Sequence, residues 1–213
     1  MRRRLTVALA GVLALWMGAP VAAGLPTAQR KRTLGVWLTN SPSRLYYDRA
    51  EMTRALNELQ AAGFNAIYPN VWSRGTTFHR SQFAPVEPAL IKAGIELDPI
   101  CTLAKEARQR GMTIIPWFEY GLMEPADAAV VQNNPEWVLA KANGSRSMTM
   151  HGKQMSWLNP AHPQVRERFI GLVLEVMQRC RVNGLQLDDH FAWPVEFGYD
   201  AYTSALYLSL IHI

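Results

Sequence analysis

The sequence predicts an α/β protein of the (β/α)8 barrel type, of which about the first four strand–helix units are present. The main observation is a repeated unit in which a helix, a glycine, an apolar strand and a polar strand end follow one another. The junctions lie at Gly63, Gly111 and Gly184. Strands that alternate with helices indicate a parallel sheet, and near-continuous apolar strands indicate burial on both faces. An open, doubly wound sheet is the alternative, but no glycine-rich phosphate loop follows the first strand.

The repeated units divide the chain into predicted elements and two long loops. Local start signals for helices are the capping residue Asp48, the pair Asp98-Pro99, and Pro163. The predicted strands occupy residues 34–38, 64–71 and 112–118, with a fourth that begins at Gly184. The stretches 75–97 and 121–162 are read as long loops, which in compact domains are usually functional or disordered.

The N-terminus is typical of an exported protein. A basic start, an apolar stretch at residues 5–19 and small residues up to Ala23 form the three regions of a signal peptide. We therefore predict a signal peptide at residues 1–23, a linker at 24–33, and a mature protein in the periplasm or outside the cell. An uncleaved membrane anchor is the alternative, but the apolar run is short for a spanning helix.

The other end of the chain departs from the repeat. Residues 34–207 are predicted to be the N-terminal half of a barrel domain, and residues 208–213 do not continue its pattern. We expect a truncated chain whose last residues come from foreign sequence, with a genuine short C-terminus as the alternative. Half a barrel leaves strand edges and core uncovered, so we expect this chain alone to be unstable or inactive.

Charge and composition exclude some partners. The net charge of +5 falls to +2 once the three leader arginines are removed, so the balance does not indicate nucleic-acid binding. No later run is apolar and long enough to anchor the mature protein in a membrane. The sequence predicts no cofactor, and it does not predict an oligomeric state.

The chain has two cysteines, Cys101 and Cys180. Export makes a disulfide chemically accessible. However, Cys101 is predicted near the start of one helix and Cys180 near the end of the next. If these helices run parallel, the cysteines lie on the order of 20 Å apart, whereas a disulfide needs Cα atoms within about 7 Å. The sequence therefore predicts two buried free thiols.

Carboxylates follow the third and fourth predicted strands. Asp188 and Asp189 end the run Gly184-Leu-Gln-Leu, and Glu119 ends the strand before it. Hydrolysis of a glycosidic bond requires two carboxyl groups, one as acid and one as nucleophile or base. If Leu187 faces the helices, Asp188 points into the barrel mouth, which makes it the candidate nucleophile or stabilising carboxylate. Glu119 is the candidate acid, and Asp189 is expected to orient substrate or support the Asp188 charge.

Other polar and aromatic residues near the strand ends are candidates for sugar binding, because aromatic rings bind the C–H faces of sugars and polar groups bind their hydroxyls. The candidates for this role are His190, Asn70, Trp72, Arg74, Trp117, Tyr120, Trp157 and Asn159. Core packing is the alternative for each tryptophan. A divalent metal held by the Asp-Asp-His run, as in polysaccharide deacetylases, is a rival reading. The other histidines lack the further spaced pair, so no metal site is predicted.

Several motifs occur together and in order. The runs GVWLTN, AAGFNAIYPNVWSRG, RGMTIIPWFEYG, WLNPAHPQVR and GLQLDDHF, followed by EFGYD, resemble the glycosyl hydrolase-like 10 family of bacterial secreted proteins. The resemblance covers about residues 33–207. It implies a (β/α)8 barrel with glycoside hydrolase activity, which in some members acts on peptidoglycan glycan strands. It also implies that Asp188 matches the carboxylate after the fourth strand of many barrel glycosidases. A non-catalytic glycan-binding protein is the rival from another class.

Overall fold

The computed structural model describes residues 32–41, 43–94, 98–150 and 152–211. The predicted signal peptide and most of the predicted linker lie outside these residues. The strands are β1 (Gly35–Leu38), β2 (Ala66–Ser73), β3 (Thr76–Thr77), β4 (Thr113–Ile114), β5 (Trp117–Phe118), β6 (Met123–Pro125), β7 (Met148–Met150), β8 (Lys153–Trp157) and β9 (Gln186–Leu187). The helices are α1 (Arg49–Ala61), α2 (Pro88–Lys92), α3 (Pro99–Gln109), α4 (Ala129–Asn133), α5 (Pro163–Cys180) and α6 (Ala201–Leu210). Short 3-10 turns lie at Pro135–Trp137 and Asp189–Phe191.

The main sheet is parallel apart from the two-residue strand β3, which pairs antiparallel with β2, and this confirms the predicted α/β fold. Its order is β1-β2-β5-β9, and β4 also pairs with β2. The predicted third strand is divided into β4 and β5 by Ile115 and Pro116. Proline cannot donate a hydrogen bond to the ladder, and the pairing of β2 with β5 shifts register between Asn70 and Trp72.

The helix starts follow the predicted capping signals. The Asp48 side chain accepts hydrogen bonds from the first turn of α1, and Asp98 does the same for α3, where Pro99 is the first helical residue. These side chains satisfy backbone N–H groups that have no partner within the helix. The apolar faces of α1, α3 and α5 then pack on β2 and form the largest core cluster. Its members include Met52, Leu56, Ile67, Leu103, Ala107, Leu172 and Val176.

The stretch 121–162, predicted as a long loop, is largely ordered structure. It contains α4, a 3-10 turn and a second, antiparallel sheet in the order β6-β8-β7. Met155 and Trp157 of this sheet pack with Phe197 in a separate small core cluster. The loop prediction was wrong for two reasons. Each of these strands is short, and their apolar residues pack in the small separate cluster instead of on the main core.

The fourth parallel strand is less buried than predicted. Leu187 is 48% exposed and Leu185 is 37% exposed. Among the described residues, β9 pairs on one side only, with β5. These leucines are therefore not buried as the near-continuous apolar run predicts.

Cys101 and Cys180 form a disulfide with a Cα–Cα distance of 4.4 Å, so the prediction of free thiols was wrong. The error came from the assumed parallel register of α3 and α5. The end of α5 instead lies across α3. Arg179 contacts Asp98 at the start of α3 at 2.6 Å, while Arg108 near the end of α3 reaches the carbonyl of Cys180 at 3.0 Å.

Within the described part of the chain, no helix has the length and apolar character needed to cross a membrane.

Candidate functional site

Two carboxylates lie at neighbouring strand ends. Glu119 follows β5 and Asp188 follows β9, and the residues just before them, Phe118 and Leu187, are paired in the parallel ladder. Adjacent strands are about 4.8 Å apart, so Glu119 and Asp188 lie side by side at the same edge of the sheet. This is the carboxyl edge, where parallel α/β folds place their active sites.

Each carboxylate is held by a donor from a neighbouring strand. Asn70 in β2 donates from Nδ2 to Oε2 of Glu119 at 2.5 Å, and its own Oδ1 accepts from the Trp72 backbone N–H at 3.2 Å. Trp117 in β5 donates from Nε1 to Oδ2 of Asp188 at 2.7 Å. The predicted residues Asn70 and Trp117 are buried, so they orient the carboxylates from below rather than forming open stacking surfaces.

Tyr120, His190 and Arg74 come together at the mouth of the sheet. The rings of Tyr120 and His190 are stacked, with centroids 5.2 Å apart and planes 2° apart. Arg74 donates from Nε to the Tyr120 hydroxyl at 3.2 Å, and this contact raises the pKa of the guanidinium. Arg74 also has a φ of 52°, a left-handed conformation that costs energy for any residue with a Cβ. Such strain is concentrated at functional sites.

A close backbone approach brings the two strand ends together. Gly121 follows the β5 strand end with a φ of 54°, and a Cβ added there would lie 2.8 Å from the carbonyl oxygen of His190. Only glycine fits both the conformation and the space. The carbonyl of Gly121 accepts a hydrogen bond from Trp72 Nε1 at 3.0 Å. Trp72 is fully buried, so it supports this turn and does not line an open surface.

Four of the predicted residues line a cleft of about 950 Å³ beside the carboxyl edge of the main sheet. The predicted residues that line it are Arg74, Glu119, Tyr120 and His190. The other described site predictions are not among its lining residues, namely Asp188, Asn70, Trp72, Trp117, Trp157 and Asn159. Trp157 is buried against Phe197, with ring centroids 5.1 Å apart.

Asn159 and Asp189 complete the set of predicted site residues. Asn159 is buried and donates from Nδ2 to Asp200 at 3.1 Å and to Thr203 at 2.8 Å, which fixes the start of α6. Asp189 begins a 3-10 turn, and its side chain lies outside the described part of the structure.

A family model described as Glycosyl hydrolase-like 10 matches residues 32–210. The chain belongs to this family. Two curated relatives are Glycosyl hydrolase DigH of Escherichia coli K12, 25% identical over 173 residues, and Glycosyl hydrolase YngK of Bacillus subtilis, 20% identical over 168 residues. The matches cover 72% and 73% of this chain but 37% and 30% of the relatives. The chain thus spans about a third of the length of these relatives.

Solved structures with a similar fold are TIM-barrel glycosidases. An α-galactosidase from Thermus thermophilus, in complex with stachyose, is 19% identical with a TM-score of 0.56, covering 84% of this chain and 37% of that one. An α-amylase from Lactobacillus plantarum is 17% identical with a TM-score of 0.56, covering 83% and 43%. At this level of identity the likeness concerns the fold, and it agrees with the predicted barrel type.

This glycosyl hydrolase-like chain also has cleft residues that the sequence did not reveal. Lys153 and Gln154 reach the cleft from β8, and Asp127 and Gln132 reach it from the other side. The signal for the β7–β8 hairpin was present: apolar residues alternate with polar ones on both sides of the turn glycine Gly152.

Glu124 is the second group that was missed. It is fully buried in β6, and burial raises its pKa to about 7 in spite of the favourable contact with Arg168. Arg168 donates from Nη1 to Oε1 of Glu124 at 3.2 Å. The neighbours Met123 and Pro125 line the cleft, and side chains alternate along a strand. Glu124 therefore points away from the cleft, towards Gly75.

One group of described residues has the spacing of a metal site, namely Asp98 with Cys101 and Cys180. Both sulfur atoms are held in the disulfide, so this group lacks the thiolates that bind metals. Among the described side chains, Asp188 and His190 are not part of such a group. The arrangement at the strand ends is that of carboxylates held by neutral donors.

Proposed function

We propose that the full-length parent of this chain is a glycoside hydrolase that acts on a bacterial envelope or extracellular polysaccharide, with peptidoglycan glycan strands as the candidate substrate. The observation that carries the proposal is the placement of Glu119 and Asp188 at adjacent strand ends, with Glu119 lining a cleft of about 950 Å³. The family and the glycosidase fold support a hydrolase of this general type. The substrate and the activity of the whole protein are our proposal.

In this proposal Asp188 acts as nucleophile or as the carboxylate that stabilises the positive sugar in the transition state. The hydrogen bond from Trp117 fixes its orientation. Glu119 acts as the acid that protonates the leaving oxygen. Asn70 binds one of its oxygens, which leaves the other to carry the proton towards the substrate. Tyr120 and Arg74 would contact sugar rings and hydroxyls at the cleft wall.

The proposed setting is the periplasm or the exterior of the cell. It rests on the signal-peptide pattern at residues 1–23. The disulfide between Cys101 and Cys180 is consistent with an oxidising compartment.

Hydrolysis of purified peptidoglycan glycan strands, freed of peptides, by the full-length parent protein tests the proposal through the release of reducing ends. We expect Asp188→Asn and Glu119→Gln to lower turnover by roughly 10²- to 10⁴-fold, the usual contribution of such a group. Glu136→Gln is the matched control, since Glu136 is exposed on a 3-10 turn and does not line the cleft. Turnover that survives both site substitutions would refute the assigned roles.

A glycan-binding protein without catalysis gives a different pattern. In that case the wild-type protein binds the strands but releases no reducing ends, and Asp188→Asn does not change this result. Release of acetate instead of reducing ends would favour a deacetylase. The three functions are therefore separated by one substrate, one binding assay and two product assays.

A further inference from the structure

A second cavity of about 510 Å³ lies next to the cleft. It is bordered by α4, the first turns of α5 and the segment Gln82–Pro85. Its volume falls in the range of about 300 to 1,000 Å³ that is typical of ligand sites. Nothing in the proposed reaction uses it.

The two cavities share a thin wall. Three pairs of consecutive residues are divided between them, the first of each pair lining the cleft and the second lining the second cavity. These pairs are Arg74 and Gly75, Asp127 and Ala128, and Gln132 and Asn133. At these three places the two cavities are therefore separated by about one residue's width of chain.

The lining of the second cavity combines an aromatic ring with polar side chains. Trp137 is partly buried, and its indole N–H donates to Oε1 of Gln164 at 3.1 Å. This bond fixes the ring and leaves the Gln164 amide hydrogens without a partner among the described residues. Glu167, one turn further along α5, is exposed and has no ion-pair partner in the described part of the chain. A fixed aromatic face with nearby amide and carboxylate groups is the chemistry that binds sugar rings and their hydroxyls.

Arg168 gives this cavity a rigid charged border. Its side chain is 10% exposed and lies over the Trp72 ring at 5.2 Å. Nε donates to the carbonyl of Phe83 at 3.1 Å, and Nη1 donates to Glu124. A guanidinium held in this way does not need to reorganise when a ligand binds, so little of the binding energy is lost to ordering it.

We propose that the second cavity is an oligosaccharide subsite that binds sugar units of the same polysaccharide beyond those held in the cleft. The inference rests on the proposed function and adds to it that the substrate is a long chain. It assigns Trp137, Gln164 and Glu167 as residues that bind the glycan away from the reacting bond.

Binding tests this inference when long and short ligands are compared. Calorimetry uses peptide-free peptidoglycan glycan strands and, separately, a tetrasaccharide of the same repeat, both with the Asp188→Asn background to prevent turnover. We expect Trp137→Ala and Glu167→Ala each to weaken binding of the long strands roughly tenfold and to leave tetrasaccharide binding unchanged. Trp193→Ala is the matched control, since Trp193 is 43% exposed and lines neither cavity.

The outcomes separate the inference from the proposed function. If the wild-type protein cleaves the strands but both variants bind them with unchanged affinity, the subsite is refuted and the glycosidase stands. If the variants weaken binding of the long strands and of the tetrasaccharide equally, the residues act through the cleft and the subsite is again refuted. If the wild-type protein neither binds nor cleaves the strands, the proposed function fails and the inference falls with it. Should Trp137→Ala unfold, the exposed Glu167 carries the same test.

Discussion

Burial of the Glu124 carboxyl makes folding stability depend on pH in a direction opposite to that of most acids. Its pKa is about 7 in the folded chain, against an ordinary value of 4.5, because burial outweighs the attraction of Arg168. A tenfold change in proton affinity is worth about 1.4 kcal/mol, so the raised pKa corresponds to about 3 kcal/mol. The stability that comes from this pKa difference is fully present below pH 4.5, and it is lost as the pH rises to 7.

The variant Glu124→Gln isolates this effect, because glutamine is neutral at every pH and its oxygen still accepts from Arg168. We expect the variant to match the wild type near pH 4.5 and to exceed it by up to about 3 kcal/mol at pH 8. Urea denaturation followed by tryptophan fluorescence between pH 4.5 and 8 measures the difference. Subtraction of the two stability curves cancels the pH dependence that other groups contribute to both proteins. One such group is His79, whose pKa is lowered by burial.

Glu106 supplies a control, because its pKa is shifted in the direction opposite to that of Glu124. Its hydrogen bond with Arg110 lowers its pKa, so the stability that it provides is present above pH 4.5 and is lost only as the pH falls through the lowered value. Glu106→Gln is therefore expected to lower stability by an amount that stays constant from pH 5 to 8. A constant difference between Glu124→Gln and wild type over the same range would refute the assignment of a buried acid with a raised pKa.

Three further substitutions test how the site is built. Gly121→Ala, which forces a Cβ against the His190 carbonyl at a positive φ, is expected to cost about 2 kcal/mol or more in thermal denaturation. The joint change of Cys101 and Cys180 to serine is expected to cost about 4 kcal/mol, since the bond joins residues 79 apart. Arg74→Gly is expected to raise stability by about 0.5 to 1 kcal/mol by removing left-handed strain and yet to lower turnover of glycan strands, because the guanidinium is lost from the cleft wall.

The features that the sequence could predict are those set by local physics. Asp48 and Asp98 cap helices because their carboxylates reach backbone N–H groups two or three residues away. The stripe on α3 is buried because its spacing follows the helical repeat. The polar residues Glu119 and Asp188 lie at strand ends because each follows a short apolar run, and the parallel sheet then aligns those ends.

The features that the sequence could not predict depend on how elements cross. The pairing of Cys101 with Cys180 follows from where the end of α5 contacts α3, which no local pattern sets. Hydrogen bonds in the site are also long-range: Asn70 and Glu119 are 49 positions apart, and Trp117 and Asp188 are 71 apart. Their residue types indicated a role near sugar, but only the fold shows that these two donors lie beneath the carboxylates.

The two glutamates near the cleft show why geometry has to be considered before acidity. Glu124 has a pKa of about 7, which would be suitable for a general acid at neutral pH, and raised values of this kind often mark active sites. However, Met123 and Pro125 on either side of it line the cleft, so the alternation of β6 turns the Glu124 carboxyl towards Arg168 and away from any substrate in the cleft. Glu119 lines the cleft itself. A proton can be delivered only by a group that reaches the leaving oxygen, and for this reason the acid role belongs to Glu119, while Glu124 fixes the wall between the two cavities.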